Sequence, residues 1–302
     1  MSAAPRGGAG TSAERRAAWV LLALPLAAIL LFFAVPVLAG LVLSMTDFDL
    51  YAVADLGAAR WVGAGNYASL LQDPLFWKAL RNTLLLVVLG VPLTLVLALG
   101  GALLVHSRLA RWPGFWRTAF FAPVVTTLVA VAVVWRYLYH PRYGLLDQLL
   151  MRLGLPAPDW LGDPRWAMPA IALLAVWRTF GYCLVIYVAG LAAIPETLHE
   201  AARIDGASWW QRFRYVTLPL LAPTTLFVGV LTSVGFFQVF AEPYVMTRGG
   251  PLNATTTISL LMYQQGFRWW NMGRASAIAF ILFVLILAAS WLQTRARRAA
   301  AR

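Results

Sequence analysis

Long apolar runs, separated by short polar segments, dominate the chain. Six of them are long enough to cross the hydrocarbon core of a bilayer, which takes about 20 helical residues. These runs are residues 19–45, 80–106, 116–138, 167–194, 216–240 and 275–294. They are continuously apolar and lack the two-residue alternation of lipid-facing strands. The pattern predicts an all-α polytopic membrane protein with six transmembrane helices.

A seventh apolar pattern lies between the first two runs. Its apolar positions have helical spacing: Leu70, Leu71, Leu75, Phe76 and Leu80. Such a segment forms either an amphipathic helix lying on the outer membrane surface or a loop helix packed against the protein. The spacing alone favours neither.

Composition agrees with the membrane assignment, since 61% of the 302 residues are hydrophobic and 12% are charged. A soluble domain has about 25% charged residues. The net charge is +12, but the basic residues lie at the ends of the apolar runs. Membrane topology explains that placement better than nucleic acid binding does.

The basic residues also orient the predicted bundle. With the N-terminus inside, the inner segments hold 13 Arg and Lys in 58 positions, and the outer segments hold 10 in 100. The positive-inside rule then places both termini in the cytoplasm. Residues 1–17, rich in Gly, Ala and Ser, are predicted to be a disordered tail.

Arg15 and Arg16 precede the first apolar run, which raises the alternative of a signal peptide or a twin-arginine export signal. The run from Trp19 to Met45 is longer than the core of a cleaved signal peptide. We therefore interpret it as an uncleaved first span.

The inner segment between the fourth and fifth runs contains residues that are typical of helix starts and helix ends. Pro195 suits the first position of a helix, and Gly206 supplies the left-handed conformation that ends one. Ser208 and Gln211 have the spacing of a capping box, which begins a second helix. That helix carries large apolar side chains: Trp209, Trp210 and Phe213. Two short helices with a glycine turn could dock on a cytoplasmic partner or pack as an ordinary loop.

The same segment resembles the signature loop of permease subunits of ABC importers. The matching residues are Glu200, Ala201, Ala202, Asp205, Gly206, Ala207, Phe213, Leu218, Pro219 and Pro223. Further matches resemble the maltose and glycerol-3-phosphate permease branch: Asn82-Thr83, Gly190-Leu191, residues 247–251, Ala254-Thr255 and Tyr263. Without a large outer domain, the chain resembles the compact six-span members.

The resemblance implies a type I ABC importer permease fold in the cytoplasmic (inner) membrane. It divides the chain into the tail, a first helix with its outer loop at 18–76, a permease domain at 77–292 and a basic tail at 293–302. The loop 195–218 would be the coupling helix that docks on the ATPase. Its coupling residues would be Glu200, Ala201, Ala202, Asp205, Gly206, Ala207, Phe213 and Pro219.

The resemblance also implies partners: a second homologous permease, two ATP-binding subunits and an extracytoplasmic solute-binding protein. The sequence itself indicates that the energy for transport comes from another chain. A phosphate-binding P-loop needs a Gly-Lys pair, and the single lysine, Lys78, follows Trp77 instead. ATP and Mg would therefore be bound by a partner chain, and this chain is expected to bind no cofactor.

A sugar path needs aromatic faces and hydrogen-bonding groups in a wet cavity. Spans four and five offer Trp177, Arg178, Tyr182, Ser233, Phe237 and Gln238. By resemblance, Tyr182 and Gln238 lie near sugar-contacting positions of the maltose-type permease. The alternative for each aromatic residue is helix packing. Arg178 would face an anionic solute or pair with an acidic residue of the sister permease.

Two other classes of protein fit less well. A secondary transporter would not need the docking loop, and the broken helices of inverted repeats are not evident. An intramembrane enzyme would need catalytic or metal-binding motifs, and neither His-Glu-x-x-His nor Gly-x-Ser-x-Gly occurs. The histidines, His106, His140 and His199, are far apart, and Cys183 has no partner for an intrachain disulfide. We expect no catalytic residue and no metal site.

Overall fold

The computed structural model describes residues 12–49, 51, 59–107 and 111–300, which are almost entirely helical. The helices are α1 Ser12–Ile29, α2 Val35–Ser44, α3 Gly65–Leu71, α4 Pro74–His106, α5 Pro113–Val125, α6 Leu128–Leu138, α7 Leu145–Arg152, α8 Ala167–Ala192, α9 Glu196–Ile204, α10 Trp209–Arg212, α11 Leu218–Phe237, α12 Ala241–Met246, α13 Ile258–Tyr263 and α14 Met272–Ala300. Three π-helical turns, Leu30–Ala34, Phe213–Thr217 and Gln264–Arg268, continue the helices beside them. Helices satisfy their own backbone groups, as a bilayer demands.

Five helical segments in the described part are long and apolar enough to span a membrane. They are Arg16–Ser44, Pro74–His106, Ala167–Ala192, Trp209–Met246 and Met272–Ala299. A sixth span is present if α5 and α6 cross the membrane together, although they are bent by 99°.

That bend corrects the prediction of one continuous helix over 116–138. Pro123 lies inside α5, and the helix continues past it to Val125, so the break comes at the two threonines that follow. Thr126 and Thr127 then adopt extended conformations with ψ of 149° and 129°. The apolar pattern continues through the break, so hydropathy alone does not reveal it.

The first helix starts earlier than the composition suggests. The predicted disordered tail at 1–17 is wrong for residues 12–17, which form the beginning of α1; the rest of the tail lies outside the described residues. Ala and Arg are good helix formers, and Glu14 in the first turn complements the helix dipole. At the other end, α14 continues to Ala300 and makes the described part of the basic tail helical.

Helix α8 lies at the centre of the bundle, packed against α4, α5 and α11. Its buried side chains include Ile171, Leu174 and Leu184, each fully inaccessible to solvent. Since lipid is as apolar as these side chains, close packing rather than the hydrophobic effect holds such helices together. The central position of α8 places its polar residues beside those of α11.

The outer loop helix is packed, which decides between the two alternatives left by the sequence. Leu70 and Phe76 are buried among Ile258, Leu261 and Ile278. Arg274 Nη2 also contacts Asp73 Oδ2 at 2.6 Å, which ties the start of α14 to the start of α4. Helix α3 therefore belongs to the protein core.

Candidate coupling site and solute path

Helix α9 begins the predicted coupling loop. Pro195 is the residue before its first turn, one position earlier than the sequence suggested, and Glu196 occupies the first turn. Arg203 in the last turn donates to Glu196 Oε1 at 3.1 Å. Both charges complement the helix dipole, negative at the N-terminus and positive at the C-terminus. These local interactions stabilise α9, although most of its residues are exposed.

The turn after α9 depends on Gly206, whose φ is +77°. The Gly206 N–H donates to the Arg203 carbonyl at 3.0 Å, and the Ala207 N–H donates to the Ala202 carbonyl at 2.9 Å. This pair of bonds is the Schellman arrangement that ends helices, and it requires a left-handed residue at the glycine position. The predicted glycine turn is confirmed.

Helix α10 begins with the predicted capping box. Ser208 Oγ accepts from the Gln211 N–H at 3.3 Å, and Gln211 Oε1 accepts from the Ser208 N–H at 2.7 Å. The rings of Trp209 and Phe213 stack with centroids 5.6 Å apart. The π-helical turn Phe213–Thr217 then continues into α11. The loop is therefore joined to a spanning helix without a flexible linker.

Large apolar side chains of the coupling loop are exposed. Ile204 is 87% exposed, and Trp209 and Trp210 are 64% and 60% exposed. Leu198 and Tyr215 are exposed too. Several exposed large apolar side chains on one short loop are typical of a surface that binds another protein or the membrane.

The matched coupling residues lie together on this loop. Glu200, Ala201, Asp205, Gly206 and Pro219 are exposed. Ala202, Ala207 and Phe213 are half-buried. A shallow cavity of about 290 Å³ passes along Ala202, Asp205 and Ala207. The small side chains allow another surface to approach the backbone closely.

The other side of the loop faces a cavity of about 370 Å³, which brings together two histidines that are distant in sequence. His106 from the end of α4 and His199 from α9 line it with Arg203 and Arg212. The described residues contain no group of three or more His, Cys, Asp or Glu side chains that could hold a metal ion.

The residues predicted for the solute path fall into two groups. Trp177 and Tyr182 of α8 are 38% and 44% exposed, and Gln238 at the end of α11 is also exposed. Ser233 and Phe237 are buried within this chain, so neither side chain lies on its open surface, and their place on the solute path stays a prediction. Gln293 Nε2 donates to Ser233 Oγ at 2.6 Å, and Phe237 belongs to the core cluster. The Ser233 and Phe237 side chains point into the packed helices. Apolar composition does not show which way a side chain on such a helix points.

Arg178 has an acidic neighbour within its own chain. Its Nη1 lies 4.0 Å from Oε1 of Glu242, whose side chain is 6% exposed. The sequence proposed an anionic solute or the sister permease as the partner and missed Glu242. The two residues are 64 positions apart and belong to α8 and α12, so only the packing of these helices brings them together.

The outer segment 247–257 is fastened to the start of α4 by polar residues. Lys78 Nζ donates to the Leu252 carbonyl at 2.6 Å, and Asn82 Nδ2 donates to the Asn253 and Thr256 carbonyls. Thr83 Oγ1 accepts from the Ile258 N–H at 2.9 Å. The matched positions Asn82 and Thr83 therefore hold the outer loop in a fixed conformation.

The chain is similar to known transport proteins over most of its length. The model of the family "Binding-protein-dependent transport system inner membrane component" matches residues 107–302. The probable ABC transporter permease protein YurN of Bacillus subtilis is 35% identical over 90% of this chain and 92% of the relative. The lactose transport system permease protein LacF of Rhizobium radiobacter is 34% identical over 93% of each chain.

The fold is also that of a solved structure. A chain of a bacterial ABC transporter involved in the import of the acidic polysaccharide alginate superposes with a TM-score of 0.76 at 24% identity. The match covers 96% of this chain and 99% of that one. The chain therefore has the overall fold of that solved membrane protein.

Proposed function

Because the chain belongs to the family of binding-protein-dependent transport system inner membrane components, we propose that it is the permease subunit of an ATP-driven sugar importer. The observation that carries this proposal is the exposed two-helix loop from Glu196 to Arg212, joined directly to the spanning helix α11. A subunit that only formed a pore would not need such a surface.

The loop is proposed to dock on an ATP-binding subunit. Its exposed apolar side chains would fill a groove of that partner, and Gly206 and Glu200 would form the joint between them. ATP binding closes the partner dimer and moves the docked loop, and α11 moves with it. The bundle then opens alternately to the two sides, each state favoured by its own contacts with ligands.

Further partners are proposed on the same basis. ATP and Mg would be bound by two ATP-binding subunits, and an extracytoplasmic binding protein would deliver the solute. A second, homologous permease would complete the path in the cytoplasmic membrane. None of the described side chains of the first span from Arg16 to Leu43 is buried, which leaves this helix free to contact such a partner.

A sugar is the proposed solute because LacF, by its name, belongs to a lactose transport system. The exposed Trp177, Tyr182 and Gln238 offer aromatic faces and an amide for such a molecule. Aromatic side chains and few polar groups are typical of small-molecule sites.

The test is reconstitution of the chain with its sister permease, ATPase and binding protein in proteoliposomes. ATP hydrolysis and uptake are measured with neutral sugars and sugar phosphates, each supplied with the binding protein. We expect one loaded binding protein to stimulate hydrolysis and ATP-dependent uptake. Uptake that does not depend on ATP would contradict the proposal and favour a secondary transporter.

A further inference from the structure

Four aromatic rings form a connected group at the outer end of α11, close to Gln238. We call the group the aromatic wall; it consists of Phe240, Tyr244, Tyr263 and Phe267. Phe240 lies 5.3 Å from Tyr244 and 5.0 Å from Tyr263, measured between ring centroids. Tyr263 lies 5.3 Å from Tyr244 and 5.5 Å from Phe267. Each ring is thus held by a neighbour.

The aromatic wall borders a cavity of about 500 Å³. Phe240, Tyr263 and Phe267 line one side, and one face of α14 with Leu282, Phe283 and Ile286 lines the other. The volume is within the range of about 300–1,000 Å³ that is usual for small-molecule sites. The cavity is therefore large enough for a sugar unit.

Polar groups reach the cavity from the same side as the rings. The exposed Gln238 and the buried Ser259 both line it. The Tyr244 and Tyr263 rings lie edge to face, which fixes the orientation of the two phenols relative to each other. The Ser259 hydroxyl donates to the Phe237 carbonyl at 3.4 Å, so the Gln238 amide is the polar group that remains for a ligand. An acyl chain would leave that amide uncompensated, which is costly in hydrocarbon.

We propose that this cavity is a second sugar subsite, in which a pyranose ring stacks on Tyr263 and Phe267 and hydrogen-bonds to Gln238. A pyranose presents an apolar face of C–H groups to an aromatic ring and keeps its hydroxyls for polar partners. The inference rests on the proposed function, since the sugar would arrive by the same path. It adds to that path residues from the outer loop and from α14.

The experiment uses the reconstituted complex and the sugar that stimulates it. Tyr263 is replaced by Phe, Leu and Ala, and the uptake rate is measured against the amount of assembled complex. Tyr263→Phe keeps the ring, and we expect uptake within about two-fold of the unsubstituted complex. Tyr263→Leu keeps apolar volume without the ring, and we expect it to fall about ten-fold, as Tyr263→Ala does.

Substitutions at a second position distinguish the loss of an aromatic ring from a change in folding. Phe267 is 63% exposed, so substitutions there leave the core intact. Phe267→Trp should retain uptake, and Phe267→Leu should reduce it by a similar factor. The matched control is Phe227→Leu, at an exposed aromatic residue of α11 that does not line the cavity; its effect should be below about two-fold.

The outcomes separate the two proposals. If Leu supports uptake as well as the aromatic residues do at both positions, the cavity is a packing or lipid surface and the subsite is refuted. If the unsubstituted complex takes up no sugar, the proposed function fails, and the subsite fails with it. Loss of uptake confined to the variants without a ring supports both.

Discussion

At the scale of single residues, Gly206 shows how one backbone conformation sets the geometry of the coupling loop. Its φ of +77° is disfavoured for residues with a Cβ atom. A Cβ built at this position has no neighbour within 4 Å. Substitution there acts through backbone conformation alone, and it changes the angle between α9 and α10 rather than their packing.

Gly206→Val should uncouple ATP hydrolysis from uptake while the subunit stays in the membrane. Valine in the left-handed conformation costs at least about 1–2 kcal/mol, so the turn would relax to another geometry. Gly206→Asn is the control, because asparagine tolerates this conformation. Hydrolysis and uptake are measured in the same proteoliposomes, and uptake by the valine variant equal to that of the unsubstituted complex would refute the role of the turn.

The pairing of Arg178 with Glu242 is a second feature at this scale. Glu242→Gln should destabilise the chain, because it leaves the guanidinium without a countercharge in a largely buried setting. A fully buried pair costs about 3–5 kcal/mol to break. A third of the Arg178 side chain is exposed, so we expect about 1–2 kcal/mol.

The measurement is the thermal unfolding temperature of the purified chain in detergent. The control is Glu196→Gln, which removes the carboxylate of an exposed pair with Arg203. Exposed pairs contribute below about 1 kcal/mol. Equal unfolding temperatures for the two variants would show that the Arg178–Glu242 contact is not structural.

At the scale of elements, the broken third span owes its position to close contact with α8. A Cβ at Gly181 would overlap the backbone carbonyl of Phe120, so α5 and α8 meet without an intervening side chain. Small residues at such crossings are typical of membrane helices. The contact fixes α5, and the extended Thr126 and Thr127 let α6 turn away.

Gly181→Ala should weaken this crossing, because backbone atoms cannot move aside as a flexible side chain can. We expect a loss of about 1–3 kcal/mol, the usual cost of overpacking. Gly100→Ala is the matched control, since the new methyl group there meets nothing within 4 Å. Thermal unfolding compares the two, and an unchanged midpoint for Gly181→Ala would mean that the helices separate at little cost.

At the scale of the whole molecule, the coupling loop and the outer segment 247–257 lie at opposite ends of α11. Twenty residues of helix separate them, about the 30 Å of a bilayer core. The basic residues predict that the coupling loop is inside. In that orientation one chain would contact both an ATPase and an extracytoplasmic protein, as proposed.

Single cysteines test this orientation. Ile204→Cys and Leu252→Cys place thiols where the side chains are 87% and 79% exposed. In intact cells that lack the ATPase subunit, an impermeant maleimide should label position 252 and should label position 204 only after lysis. The unsubstituted chain is the control, because Cys183 is buried. The reverse pattern would invert the predicted topology.

The apolar runs and the local form of the coupling loop follow from the amino-acid sequence without any tertiary information. A helix in a bilayer must bury a continuous apolar length, and this requirement is visible residue by residue. Pro195, Gly206 and the capping box at Ser208 act within a few positions of themselves. Such signals depend on neighbouring residues alone, so the loop could be predicted before the tertiary structure was known.

Which side of each helix is accessible depends on how the helices pack against one another. The side chains of Ser233 and Phe237 are buried, and Arg178 lies beside Glu242. The rings of the aromatic wall come from segments on both sides of the outer loop. In lipid and in the protein core the surroundings are equally apolar, so hydropathy carries no information about facing. These arrangements are settled by contacts between residues distant in sequence, which no local pattern records.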